Sequence, residues 1–217
     1  MRIATALLLA LCGLVPLAQA QEVKGNAANG ARINDTCIGC HGIPGYQASF
    51  PEVHRVPAIA GQNPQYIAAA LNAYRKGERK QGSMRAIAGS LGDQDIADLA
   101  AFYATQYQPQ AGGDAALPPP PPAVAELLNK GACASCHGAN YSKPIDASYP
   151  KIAGQYADYL YVALKAYKTE GNAVVGRSNP IMAAQVKQFS NKELRLIADY
   201  LGSLTPEVAT VAQSPFR

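Results

Sequence analysis

Cys37-Ile38-Gly39-Cys40-His41 and Cys133-Ala134-Ser135-Cys136-His137 set the same C-x-x-C-H pattern twice into a chain of 217 residues. No other feature restricts the fold as tightly. In this pattern two thiols add to the two vinyl groups of a haem, and the adjoining histidine binds the iron. The chemistry asks for a short helical turn, so that both sulfurs meet neighbouring pyrrole edges while the imidazole swings under the metal. A porphyrin tied down by thioether bonds also lets a small domain manage with a thin protein core. Other uses of paired cysteines fit less well. Structural zinc sites draw their pairs from within a few tens of residues, whereas Cys40 and Cys133 lie 93 apart. A thioredoxin-like pair belongs beside a βαβ pattern, and no strand-rich stretch flanks either motif.

The chain opens with Arg2, an apolar run from Ile3 to Val15, and a small-x-small site at Ala18-Gln19-Ala20. That is the anatomy of a secretory signal peptide over residues 1–20. The run is shorter than the roughly 18–20 residues a spanning helix needs, and no later segment is apolar enough to cross a membrane. Cys12 falls inside it and reads as filler. Cleavage leaves 197 residues and four cysteines, all in the two motifs. In an exported chain four cysteines normally imply disulfides; a histidine directly after each pair overrides that reading. The formal net charge of +4 is too small to select a partner.

The repetition extends well beyond the motifs. Ile59-Ala60-Gly61-Gln62 returns as Ile152-Ala153-Gly154-Gln155, and at the same offset Pro57, Tyr66, Ile67, Ala70, Leu71 and Tyr74 become Pro150, Tyr159, Leu160, Ala163, Leu164 and Tyr167. The chain is therefore an internal duplication: residues 21–107 form one domain and 123–217 the other. Residues 108–122, with Gly112-Gly113 and the prolines Pro118 to Pro122, form a stiff join that takes no part in a packed core.

Both halves carry the helical period. Asn63 is placed to cap a helix that Pro64 opens and Gly77 ends, and helices are predicted over 93–103 and 191–204. The tyrosines Tyr66, Tyr74, Tyr159 and Tyr167 read as packing residues. The mature chain has two methionines, Met84 and Met182, which follow His41 and His137 by 43 and 45 residues. A lone methionine is usually core filler; two at matched places before the last helix are candidate axial ligands, carried on loops folded over the haem. Such a six-coordinate iron moves electrons and has no vacancy for substrate, which speaks against a peroxidase. The second nitrogen of each axial histidine needs an acceptor, and the carbonyls of Pro57 and Pro150 are placed to serve. His54 is the third histidine. Its counterpart in the second half is Ala147, and it reads as a surface or supporting residue.

Taken together, the two motifs, the Ala-Gly-Gln blocks, one methionine per half and the proline-rich join resemble the di-haem cytochrome c4 family over nearly the whole mature chain. The resemblance implies an all-α fold of two tandem cytochrome c domains related by a pseudo-twofold axis, each wrapped around one of two covalently bound haem c groups. It implies thioethers at Cys37, Cys40, Cys133 and Cys136, with axial pairs His41–Met84 and His137–Met182. The segment 43–56 departs from the family pattern. The implied protein is a periplasmic electron carrier and not an enzyme: a monomer, soluble or peripherally membrane-associated, passing electrons from a quinol-oxidising complex towards a terminal oxidase, with no nucleic-acid partner. The alternative is the electron-transfer subunit of a periplasmic flavoprotein dehydrogenase of the sulfide-oxidising type.

Overall fold

Ten helices and two very short strands make up the described part of this computed structural model, which covers residues 23–108 and 117–213. The signal segment 1–20 and residues 109–116 of the join lie outside it. The first half contains α1 (Ala27–Ile33), α2 (Asp35–His41), β1 (Gln47–Ala48), β2 (His54–Arg55), α3 (Pro64–Arg75), α4 (Gly82–Gly89) and α5 (Asp93–Thr105). The second contains α6 (Pro122–Lys130), α7 (Cys133–His137), α8 (Ala157–Lys168), α9 (Pro180–Lys187) and α10 (Asn191–Ser203). The helices correspond in order, so the duplication seen in sequence is one of architecture. The small β1–β2 hairpin, antiparallel with Ala48 opposite His54, has no counterpart among the described residues of the second half.

Local chemistry explains the ends of these helices. The Asn26 side chain accepts from the backbone N–H groups of Ala28 and Asn29 to start α1, and Ser190 with Glu193 forms a reciprocal cap on α10. Pro64 opens α3 as expected. The expected cap from Asn63 is absent: its side-chain amide donates instead to the Tyr149 carbonyl in the other half. Pro122, assigned to the join from sequence, is the first residue of α6. There φ near −65° is already helical and the missing N–H has no intrahelical partner to lose.

Among the described residues the two halves bury clusters of different size. In the second half α6, α8 and α10 bury a cluster of 14 residues, among them Leu128, Leu160, Phe189, Leu194 and Leu201. The corresponding cluster of the first half has five: Ile67, Leu99, Ala100, Phe102 and Tyr103. Here α1 instead crosses α5 at very close range. A Cβ on Gly30 would fall 2.2 Å from the Asp98 carbonyl oxygen, so backbones touch where side chains would otherwise pack.

The halves meet along a seam built largely from the repeated blocks. Gly61 (φ +81°) and Gly154 (φ +67°) hold matching left-handed turns, a conformation that suits glycine. At Gly154 a Cβ would also strike Pro206. The chain beyond α10 then crosses back onto the first half. Ala209 and Ala60 exchange backbone hydrogen bonds (3.1 and 2.9 Å), and the Asn34 amide donates to Gln213 at 2.8 Å.

Candidate haem-binding sites

Each C-x-x-C-H sequence forms a short helix, α2 or α7, ending on its histidine, the turn that thioether attachment requires. All four thiols are free rather than paired as disulfides. Burial pushes the Cys37 and Cys133 thiols above their ordinary range. A redox-active C-x-x-C needs the opposite shift, because thiolate is the reactive form. Among the described residues no group of three His, Cys, Asp or Glu is gathered to hold a metal ion.

His41 Nδ1 lies 2.9 Å from the Pro57 carbonyl oxygen, and His137 Nδ1 lies 3.1 Å from that of Pro150. The expected acceptors are therefore in place. With Nδ1 donating, the tautomer is fixed and Nε2 is left with its lone pair for coordination. Burial lowers the pKa of both imidazoles, opposed by the carbonyl bond; the neutral ring is the form that binds a metal. In each half the donors are two free thiols beside a neutral, oriented imidazole, and this set fits a covalently attached haem.

Met84 and Met182 occupy the first turns of α4 and α9, not loops as the sequence implied. Their placement is again duplicated. The Met84 N–H donates to the Gln81 side chain at 2.7 Å, and the Met182 N–H to that of Asn179 at 2.9 Å. A cap on the residue itself fixes where its side chain leaves the backbone. Each methionine is half-buried.

Sequence reasoning missed two further pairs. Arg79 and Arg177 face each other across the seam in an antiparallel bridge. The Arg79 guanidinium lies over Tyr66 and Tyr74, and that of Arg177 over Tyr159 and Tyr167. They donate to the hydroxyls of Tyr66 (3.1 Å) and Tyr159 (3.0 Å) respectively. Burial, only partly offset by Arg79, pushes the Tyr66 hydroxyl up to about 12. No carboxylate among the described residues pairs with either arginine. The four tyrosines do pack, but against cations. The matched spacing of Arg79 and Arg177, the same as that of the methionines, was the available signal.

The second pair is Gln62 and Gln155, buried at 3% and 4% exposure. Gln155 grips the backbone of Ala58, accepting from its N–H at 3.0 Å and donating to its carbonyl at 2.8 Å. Gln62 grips Lys151 in the same way, at 2.9 Å for both bonds. Ala58 and Lys151 are equivalent positions in the duplication, so the two grips are reciprocal. That reciprocity is the pseudo-twofold relation between the halves.

His54 is buried at 6% exposure, which corrects the reading of it as a surface residue. Its Nδ1 meets the Glu52 carbonyl at 2.7 Å, and its ring lies 6.3 Å from that of Tyr159 across the seam. Beside it Arg55 donates to Asp158 at 3.0 Å from Nε and from its backbone at 3.1 Å. The β1–β2 hairpin is thus a docking element.

Comparison with known proteins agrees with this arrangement. A family described as Cytochrome c matches residues 27–106 and again 123–205. Cytochrome c4 of Azotobacter vinelandii is 31% identical over 213 residues, covering 91% of this chain and 96% of its own. The chain belongs to the di-haem cytochrome c4 family. A solved structure of Acidithiobacillus ferrooxidans cytochrome c4 superposes with a TM-score of 0.60 at 26% identity, covering 79% of this chain and all of that one. A protein named thiosulfate dehydrogenase electron acceptor, from Stutzerimonas stutzeri, is 27% identical over 84% of this chain and 89% of its own. This cytochrome is a di-haem electron-transfer protein with two covalently bound haem c groups.

Proposed function

We propose that this cytochrome shuttles electrons in the periplasm between a quinol-oxidising respiratory complex and a terminal oxidase. Cys37, Cys40, Cys133 and Cys136 would form the thioethers; His41 with Met84, and His137 with Met182, would hold the two irons. The observation that carries the reading is the twofold repetition of one site: a motif histidine held by a proline carbonyl, with a capped methionine ahead of the last helix. Bound haem supplies a one-electron iron couple. The chain fixes imidazole orientation through Pro57 and Pro150. With both a histidine and a methionine held on each iron, no position would be left for substrate. The guanidiniums of Arg79 and Arg177, which have no carboxylate partner among the described residues, would suit propionate carboxylates.

Optical spectra of the oxidised protein test the ligands. A methionine-sulfur charge-transfer band at the red edge of the visible region is expected. Met84→Ala and Met182→Ala are each expected to remove about half of it, and an unchanged band in either variant overturns that pair. Reduction by a quinol-oxidising complex, followed by oxidation by a terminal oxidase, tests the place in the chain.

A second reading is favoured by the likeness to the thiosulfate dehydrogenase electron acceptor. Here the donor is a periplasmic dehydrogenase of reduced sulfur compounds, whether haem- or flavin-dependent. Rapid reduction by such an enzyme, with no reduction by the quinol-oxidising complex, would select it.

A further inference from the structure

The peptide group between Pro57 and Ala58 is hydrogen-bonded at both ends. Its C=O accepts from His41 Nδ1 at 2.9 Å, and its N–H donates to Gln155 Oε1 at 3.0 Å. The peptide between Pro150 and Lys151 repeats this: its C=O accepts from His137 Nδ1 at 3.1 Å, and its N–H donates to Gln62 Oε1 at 2.9 Å. In both cases the histidine and the proline belong to one domain and the glutamine to the other.

We infer that Gln155 and Gln62 are positioning residues that tune, across the seam, the axial histidine of the opposite domain: Gln155 acts on His41, and Gln62 on His137. The inference rests on the assignment of these histidines as iron ligands. Hydrogen bonds in a chain polarise one another. An acceptor on the amide N–H pushes density from nitrogen onto the carbonyl oxygen and makes that oxygen a better acceptor. The hydrogen bond from Nδ1–H to that oxygen then strengthens, the imidazole becomes more basic, and ferric iron is favoured. Both glutamines are buried in the seam, where water does not replace the interaction if it is lost. Each domain's reduction potential thus contains a contribution that exists only while the other domain is docked.

The test is crossed. Gln155→Met and Gln62→Met keep side-chain length and remove both bonds of the grip, together with the one that Oε1 accepts from the neighbouring N–H of Tyr156 or Asn63. The holoprotein is titrated redox-potentiometrically, with each haem followed through its own assigned methyl resonances in proton NMR. Gln155→Met is expected to raise the potential of the haem attached at Cys37 and Cys40, and Gln62→Met that of the haem at Cys133 and Cys136. The expected change is about twofold in the reduced-to-oxidised ratio at fixed potential, or about 18 mV at 59 mV per tenfold. The Nδ1 proton of the affected histidine should move upfield in the reduced protein. Asp158→Asn is the control for loosened docking, since it removes the Arg55 ion pair at the same seam and leaves both glutamines in place; it should shift the two haems equally or not at all. Potentials unchanged in both glutamine variants, equal shifts of both haems, a shift in the variant's own domain, or a crossed shift in Asp158→Asn overturns the inference. A strongly hyperfine-shifted Nδ1 proton for each histidine in the oxidised wild type establishes ligation separately. The tuning can therefore fail while the ligand assignment stands.

Discussion

Asp98 is fully buried, yet it keeps its charge. Burial pushes its pKa up, but donors on Asn29, Asn26 and Gln94 outweigh that and hold the carboxyl below its ordinary range. The bonds are short: 2.7 Å from the Asn29 amide, 2.7 Å from the Asn26 N–H and 2.8 Å from the Gln94 amide. They tie the cap of α1 to the middle of α5. Asp98→Asn reverses the polarity at one oxygen and leaves buried donors opposed. It should cost about 2–3 kcal/mol at pH 7, measured by denaturant unfolding of the holoprotein. Because the folded pKa is depressed, this stabilisation is complete above the unfolded value near ~4 and is lost as pH falls through the folded value. The gap between wild type and variant should accordingly close on acidification below about pH 4. A gap independent of pH would show that the carboxylate charge contributes nothing.

Among the elements, the α1–α5 crossing depends on glycine more than on apolar volume. Alanine at position 30 would gain roughly 1 kcal/mol of helix propensity. Its Cβ, however, would sit 2.2 Å from a backbone oxygen and 2.7 Å from the Phe102 Cβ, so the backbone itself must move. The net effect of Gly30→Ala should be a loss of about 2 kcal/mol or more. Gly89→Ala, at a helix end with no atom within 4 Å, should be neutral or mildly stabilising; equal melting temperatures for the two variants would contradict the close crossing. Much at this scale was legible from sequence. The motif turns, the Pro64 start of α3 and the two long final helices follow from spacing and period alone. Met84 and Met182 were read as loop residues because α4 and α9 have eight residues each, too few for an apolar period to register. Strands of two residues leave no alternation to detect. The repeated glutamines were visible, but their partners were not, because a backbone N–H and C=O carry no residue identity.

At the scale of the whole molecule, docking also draws on the hairpin and the C-terminal segment. The latter buries Val208 at 2% exposure, pairs Ala209 with Ala60 and places Thr210 against the Tyr156 hydroxyl. Ending the chain after Pro206 removes all of this and should weaken docking by roughly 3 kcal/mol. Small-angle scattering should then record a larger radius of gyration, and exchange between the haems should slow. An unchanged radius would assign the docking to the remaining contacts of the seam: the glutamine grips, the Arg55–Asp158 pair, the Asn63–Tyr149 bond and the Arg79–Arg177 bridge. The reciprocal glutamine grips carry a different consequence. A contact in which position 62 takes hold of position 151 while its counterpart at 155 takes hold of 58 is isologous, the relation found in homodimers. In these grips each glutamine of one half meets the backbone groups it would also meet on a second copy of itself. The join between the halves therefore contributes no complementarity. It supplies concentration, on the order of millimolar for a short tether, and so turns an encounter between equals into a permanent one.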